Sequence, residues 1–416
     1  MNPVLTIIYY VLYTLVKTGL RVYYRIGPGQ GLPATEPKGP LIVLGNHPNA
    51  LLDPFMVVSH LTRPVYFLGN ASLFKHWFAN WFLNTFYTIP IERPKDVGGR
   101  PIDNAQAFRR SREHLMMGGA LYIAPEGTSE REYRLRPIKT GAARIALNVL
   151  QADPHQSVAF LLGGITYEDH PAFRSRVSIH FDCLVVGMDD LPGPADEWAT
   201  VEWLTELLER KMQGLLLHST PEQDERLMRS LDLLRPWLWG SGWRKRLQTL
   251  QGHLLHSGDQ AEAWNSTLNQ LVTQKGLTAV DPRWLDRKEP LSRLVLLPLA
   301  IMVLLHHAVI YGLPELLKRR LKLHLVYDAT VRFLGGLIGY LVGVPLLWWM
   351  MGQVCSPWEI RLLWLGMVLV SGPWSWQQWL FFQRIRQWRS FQKATRDRQW
   401  LDTLRTHLSR LSEQAE

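Results

Sequence analysis

Apolar residues fall along this chain first in short runs between breakers, then at helical spacing, and last in stretches close to membrane length. A linker carrying Gly29, Gly31, Pro33, Pro37 and Pro40 is followed by Leu41-Ile42-Val43-Leu44, which Gly45-Asn46 closes. A short, wholly apolar run between turn residues predicts a buried strand. Val65 to Leu68, Ile89 to Ile91, Leu121 to Ala124, Val158 to Leu162 and Val177 to Phe181 predict further strands. Between them, Phe74 to Phe86 reads as an aromatic helix, and Asn104 to Met117 and Ala142 to Leu150 repeat at helical period, with Gly118-Gly119 ending the first of these. Strands alternating with helices predict an α/β layer fold with a mixed sheet over residues 38–190.

Residues 195–290 carry amphipathic helical patterns, such as Trp203 to Leu217 and Glu222 to Leu234, and predict a helical extension without a chemical motif. Residues 291–383 are dense in Leu, Val, Gly and Trp. Leu294 to Leu313, Phe333 to Met351 and Leu362 to Phe382 each approach the ~20 residues that cross a bilayer, the last weakened by Ser371, Gln377 and Gln378. Basic residues favour the cytoplasmic side. They gather at Lys318-Arg319-Arg320-Leu321-Lys322 and again from Arg384 onward. The second and third stretches therefore predict a hairpin with its short loop, including Cys355, outside, and residues 384–416 predict a basic cytoplasmic tail. The first stretch, interrupted by Pro298 and His306-His307, predicts a re-entrant or interfacial segment. At the other end, Val4 to Val16 is apolar but short for a span, and Lys17, Arg21 and Arg25 follow at a spacing of one helical face. Residues 1–28 predict an interfacial anchor helix, with a core helix of the soluble domain as the alternative.

Composition sharpens this. The formal charge is +10, from 46 Lys and Arg against 36 Asp and Glu, which suits nucleic acid, an anionic lipid surface or a phosphorylated substrate. The apolar stretches, several flanked by some of the 18 Trp, favour lipid. No nucleic-acid module is recognisable. Cys183 and Cys355 stand far apart, which predicts neither a disulfide framework nor a metal site, and no cofactor is expected.

Candidate chemistry begins at Gly45-Asn46-His47-Pro48-Asn49-Ala50-Leu51-Leu52-Asp53-Pro54. His47 follows a buried strand directly, at the end where open α/β sheets build sites. On one continuous helix, His47 and Asp53 would point ~120° apart, so they meet only if the segment bends at Pro48-Asn49. A carboxylate on one imidazole nitrogen fixes the tautomer and leaves the other as a base. On these residues alone, a structural His and Asp in a turn reads equally well. Pro125-Glu126-Gly127-Thr128-Ser129 follows another strand and offers a tight turn, backbone amides and two hydroxyls, a loop able to hold phosphate. Lys139-Thr140-Gly141 opens a helix and adds a cation. Ile91-Glu92-Arg93 offers a guanidinium with two donors for phosphate.

Together these segments closely resemble the glycerolipid acyltransferase family typified by bacterial 1-acylglycerol-3-phosphate acyltransferase, over roughly Leu41 to Val186. The family's His-Asp block matches Asn46, His47 and Asp53, although five residues separate the pair here against four in the family type. That longer gap, with His-x-Asn and Asp-Pro, is similar to the branch containing fungal glycerol-3-phosphate and dihydroxyacetone-phosphate acyltransferases. Arg93 matches the second block, Pro125 to Ser129 matches the third in full, and Lys139-Thr140-Gly141 matches the downstream Lys-x-Gly. Where the family carries a Pro after a strand, this chain has Leu162-Gly163-Gly164.

The resemblance implies an O-acyltransferase of phospholipid synthesis with acyl-CoA or acyl carrier protein as donor. His47 and Asp53 would be catalytic, and Arg93, Glu126, Gly127, Thr128, Ser129 and Lys139 would bind substrate. Lysophosphatidate, yielding phosphatidate, is the acceptor expected first. Glycerol 3-phosphate, dihydroxyacetone phosphate and other lysophospholipids are alternatives. Arg131, Arg134 and Arg136 read either as holding anionic groups or as a solvated basic face. The implied location is the membrane, the cell membrane in a bacterium, with the catalytic domain facing the cytoplasm. An inactive lipid-binding scaffold is the rival outside enzymology, against which the joint presence of base and loop argues.

Overall fold

The computed structural model describes residues 3–413 apart from 86, 94–95, 193–195, 218, 239–241, 257, 283–294, 297, 300, 302, 304–306, 322 and 355–356. The chain divides into two units, Met1–His218 with His324–Thr330, and Ser219–Leu323 with Val331–Glu416.

The first unit holds one sheet of seven strands, β1 (Arg25–Ile26), β2 (Leu41–Gly45), β3 (Val65–Asn70), β4 (Thr88–Ile91), β5 (Ala120–Ile123), β6 (Val158–Tyr167) and β7 (Arg176–Val186). Their order is β1-β7-β6-β2-β5-β3-β4. β6 and β7 run antiparallel and every other neighbouring pair runs parallel, giving the mixed sheet that the sequence predicts.

Both faces of the sheet are covered, which explains why its central strands are uniformly apolar rather than alternating. Ile42 and Leu44 of β2, Leu121 and Ile123 of β5, and Phe160 and Leu162 of β6 pack with α4 (Ala105–Met116), α5 (Gly141–Ala152) and α6 (Glu197–Leu215), while the aromatic helix α3 (Trp77–Thr85) meets β4. α6 falls in the predicted helical extension, yet its Val201, Leu204, Leu208 and Met212 are part of this core. The opposite face carries α2 (Leu52–Val58), which packs on β2 and β6. The approach is close. A Cβ on Gly163 would come within 3.1 Å of Val57, and one on Gly45 within 2.8 Å of the Tyr122 hydroxyl.

Within the predicted anchor of residues 1–28 the chain forms α1 (Pro3–Tyr23), a helix of 21 residues that runs past the apolar stretch ending at Val16. Its Tyr13 hydroxyl sits 2.9 and 2.8 Å from the carbonyls of Ser59 and Leu61, just beyond α2. Val4, Ile7 and Val11 are exposed. Arg25 does not continue the helical face of Lys17 and Arg21. The Arg174 guanidinium donates to the carbonyls of Arg21 and Val22, satisfying the last turn, and Arg25 enters β1 beside Arg176. β6 also differs from expectation. It runs on through Gly163 and Gly164 to Tyr167, because β7 pairs with it along its whole length.

In the second unit, helices Pro221–Leu238, Trp243–His256 and Gly258–Gln274 form a bundle that Arg398–Glu413 joins. The predicted tail is therefore partly folded. Trp400, Leu404, Leu408 and Leu411 recur at helical spacing and are buried. The Trp400 indole donates to the Leu271 carbonyl at 2.9 Å, and that of Trp264 donates to the His407 carbonyl at 3.0 Å.

The two later apolar stretches lie within helices Asp328–Val354 and Trp358–Ala394. Seven of the twenty positions of the first, Leu294 to Leu313, lie outside the described residues, as does Cys355, and its last six open the helix Ala308–Leu321. Among the described residues, Pro3–Tyr23 and Leu325–Gln353 are long and apolar enough to cross a membrane.

Candidate active site

The parallel strands β2 to β6 bring the predicted segments to one edge. Their carboxyl ends point the same way, so the residues after β2, β4 and β5 share it: His47, Arg93 and Glu126. β6 overhangs β2, since Gly45 pairs with Gly163 and β6 continues for four more residues to Tyr167. Asn46 extends the pairing by side chain. Its Oδ1 accepts the Ile165 N–H at 2.7 Å and its Nδ2 donates to the Ile165 carbonyl at 3.0 Å.

The bend that would let His47 meet Asp53 exists. Ala50 adopts φ +48°, a left-handed conformation uncommon for a residue with a Cβ. It reverses the chain before α2 begins, and Asp53 lands in the first turn of that helix. His47 Nδ1 then lies 3.2 Å from Asp53 Oδ2. The same oxygen accepts the Asn49 N–H at 2.6 Å, and Oδ1 accepts the Tyr167 hydroxyl at 2.7 Å. Asp53 is fully buried. Burial pushes its carboxyl above the usual aspartate range, while its bonds to His47, Tyr167 and Asn49 act against that shift. The His47 side chain is 20% exposed. Among the described residues its Nε2 makes no hydrogen bond, so the nitrogen away from Asp53 is the one available to a substrate.

Two residues of the Pro125 to Ser129 loop, Glu126 and Ser129, hold the His47 backbone. Glu126 Oε1 accepts the His47 backbone N–H at 2.7 Å and its Oε2 accepts the Arg136 N–H at 3.1 Å. Burial raises its carboxyl to about 7. The Ser129 hydroxyl donates to the His47 carbonyl at 2.7 Å and accepts the Ala50 N–H at 2.8 Å. Ser129, expected to bind substrate, is thereby a clamp on the turn, because both of these bonds go to backbone.

A cavity of about 420 Å³ is lined by Arg93, Glu126, Gly127, Thr128, Arg136, Pro137 and Lys139. Five of the six expected substrate-binding residues line it, and Ser129 does not. Gly127 turns the loop at φ +67°, and a Cβ there would sit 3.6 Å from the Lys139 side chain. Arg93 is less free than its sequence suggests. Its Nε lies 2.6 Å from Asp96 Oδ2, its Nη2 lies 3.2 Å from Oδ1, and its Nη1 donates to the Gly127 carbonyl at 3.3 Å. Arg136 joins the wall while pairing with Glu132, and Arg134 pairs with the same carboxylate. Arg131 lies 3.7 Å from Asp169. These three arginines are thus ion-paired rather than a loose solvated face. Lys139 makes no ion pair among the described residues.

Sequence reasoning missed Tyr167, Asn49 and Asp96. Tyr167 ends a strand whose length only its pairing with β7 reveals. Asn49 lies inside the motif but reads as turn chemistry. It donates through its side chain to the Tyr24 hydroxyl at 2.8 Å and the His170 carbonyl at 3.1 Å, contacts made between distant segments.

The chain is similar in part to known proteins. A family model described as Acyltransferase matches residues 29–161. Glycerol-3-phosphate O-acyltransferase 2 of Saccharomyces cerevisiae is 32% identical over 125 residues, covering 30% of this chain and 17% of that protein. The chloroplastic 1-acyl-sn-glycerol-3-phosphate acyltransferase BAT2 of Brassica napus is 26% identical over 117 residues, covering 28% of this chain and 31% of its own. The chain thus spans less than a third of either relative. Among solved structures, the 1-acyl-sn-glycerophosphate acyltransferase PlsC of Thermotoga maritima aligns over 51% of this chain and 83% of its own, at 18% identity and a TM-score of 0.35. Residues 29–161 are an acyltransferase domain.

Proposed function

We propose that this acyltransferase-domain protein moves a fatty acyl chain from an acyl-CoA or acyl carrier protein thioester to a hydroxyl of a glycerol-phosphate lipid precursor. The observation that carries the reading is the contact of His47 Nδ1 with Asp53 Oδ2, in a turn that Glu126 ties to a cation-lined cavity. Asp53 holds the Nδ1–H tautomer, and Nε2 takes the proton of the acceptor hydroxyl. The oxygen attacks the thioester carbonyl and forms a tetrahedral oxyanion. Its collapse breaks the C–S bond, and the departing thiolate takes the proton from the imidazolium. Lys139 is the cation best placed for the acceptor's phosphate, with Arg93 and Arg136 shaping the wall that receives it.

Lysophosphatidate is the acceptor expected from the family type. Glycerol 3-phosphate is the second reading, and two observations favour it: five residues separate His47 from Asp53, and the yeast relative is a glycerol-3-phosphate acyltransferase. Purified protein in detergent, given labelled palmitoyl-CoA with either acceptor, separates them by whether phosphatidate or lysophosphatidate forms. His47→Ala should abolish both products without unfolding the protein; activity near wild type would refute the base.

The membrane setting follows from the substrate. A long-chain product lies in the bilayer, and each buried CH₂ is worth ~0.8 kcal/mol, so a site at the interface avoids drawing that chain through water. The exposed Val4, Ile7 and Val11 of α1 support an interfacial anchor. The basic residues around 318–322 and beyond 384 support a hairpin whose loop faces outward, with the catalytic domain on the cytoplasmic side. Labelling from outside that reaches Cys355 and nothing near Arg320 is the expected pattern, and the reverse would overturn it.

A further inference from the structure

We propose that Tyr167 is the positioning residue of the His47–Asp53 pair, its hydroxyl fixing the carboxylate so that one oxygen serves His47. The inference rests on the reading of that pair as catalytic and adds a residue from a distant strand to it.

The geometry divides the carboxylate into two halves. Oδ2 receives the Asn49 N–H and faces His47 Nδ1, while Oδ1 receives the Tyr167 hydroxyl at 2.7 Å. A carboxylate held at one oxygen only is free to rotate about its Cβ–Cγ bond. A donor on Oδ1 removes that freedom, and with it the alternative in which His47 loses its partner. Tyr167 is itself locked. It is fully buried, its ring lies 5.4 Å from that of Tyr24 and 5.1 Å from that of His170, and its backbone pairs with Val177. Burial holds its hydroxyl well above the usual tyrosine range, so it remains a donor wherever the enzyme works.

The five-residue spacing makes this support necessary. Asp53 sits beyond a turn that uses a left-handed Ala50, so no regular helix geometry aims its side chain at His47. The overhang of β6 past β2 supplies the missing constraint from outside the motif. The groups facing Asp53 are His47 from its own turn, Tyr167 from β6, Tyr122 from β5, Glu126 from the following loop, and Tyr24 from the segment after α1. Of the neutral donors among these, Tyr167 is the one whose hydroxyl bonds the carboxylate.

Tyr167→Phe retains the ring and removes the hydroxyl, which bonds Asp53 and also meets the Asn49 side chain. A buried acceptor left unpaired costs enough to move an equilibrium by about tenfold or more. The expected result is a kcat lower by about that factor, both KM values little changed, and the acidic limb of the kcat profile moved to higher pH, because the ionised Asp53 has lost a donor. Tyr24→Phe removes a hydroxyl from the same buried layer that does not bond Asp53, and its acidic limb should stay in place. A folded Tyr167→Phe protein with unchanged kcat and unchanged limb overturns the proposal. So does a loss that merely follows the folded fraction in thermal unfolding, with kcat per folded molecule and the limb unmoved. If His47→Ala were instead active, the catalytic pair itself would fall. An inactive His47→Ala beside a normal Tyr167→Phe removes only the role given to Tyr167.

Discussion

The backbone N–H of Ala50 is held at 2.8 Å by the Ser129 hydroxyl, which in turn donates to the His47 carbonyl at 2.7 Å. A residue 79 positions away thus closes the turn that carries the base. The left-handed conformation of Ala50 costs roughly 1 kcal/mol or more, and Ser129 offsets part of it with two bonds worth about 1 kcal/mol each.

Ser129→Ala should therefore act on turnover rather than on substrate affinity. kcat is expected to fall by about tenfold, with both KM values within about twofold of wild type. Steady-state kinetics with either substrate varied checks this, and a selective rise in acceptor KM would return Ser129 to the substrate-binding set.

Glu126 predicts a stability that depends on pH. Burial raises its carboxyl from 4.5 to about 7, so the folded protein holds the proton more tightly than the unfolded chain. The associated stability is fully present below about pH 4.5 and is lost as pH rises through about 7, a change on the order of 3 kcal/mol. Burial shifts Asp53 in the same direction. Thermal unfolding in detergent should show a lower Tm at pH 8 than at pH 5.5. Glu126→Gln should flatten that difference at the loss of one backbone bond, because an amide nitrogen cannot accept the Arg136 N–H.

Lys139→Ala should raise the acceptor KM by about tenfold and leave the donor KM nearly unchanged, since a phosphate loses its most available cation. Arg93→Ala should do this and also lower Tm, because it leaves Asp96 without its two-toothed partner and frees the Gly127 carbonyl. A larger effect on donor KM in either variant would exchange the two subsites.

Gly31→Ala tests the edge of the sheet. Gly31 sits at φ +77°, and a Cβ there would stand 2.2 Å from the Phe181 carbonyl oxygen. The substitution should cost about 2 kcal/mol or more, read as a lower Tm. Catalysis per folded molecule should remain, since the residue lies at the far edge of the sheet from β4.

Several features were readable without coordinates because they depend on neighbours in sequence. The apolar run Leu41 to Leu44 had to be buried on both faces, and the breakers after it had to form a turn. His47, Arg93 and Pro125 to Ser129 each follow such a run, so parallel strands had to bring them to one edge. Other features were set by residues distant in sequence and met only on folding. Whether His47 reaches Asp53 depended on Ala50 turning left-handed, which Ser129 holds. Whether Arg93 is free depended on Asp96. Where β6 ends depended on β7, and that placed Tyr167 over Asp53. Periodicity reports which side of an element is buried, but a hydrogen bond between two strands leaves no period in either of them.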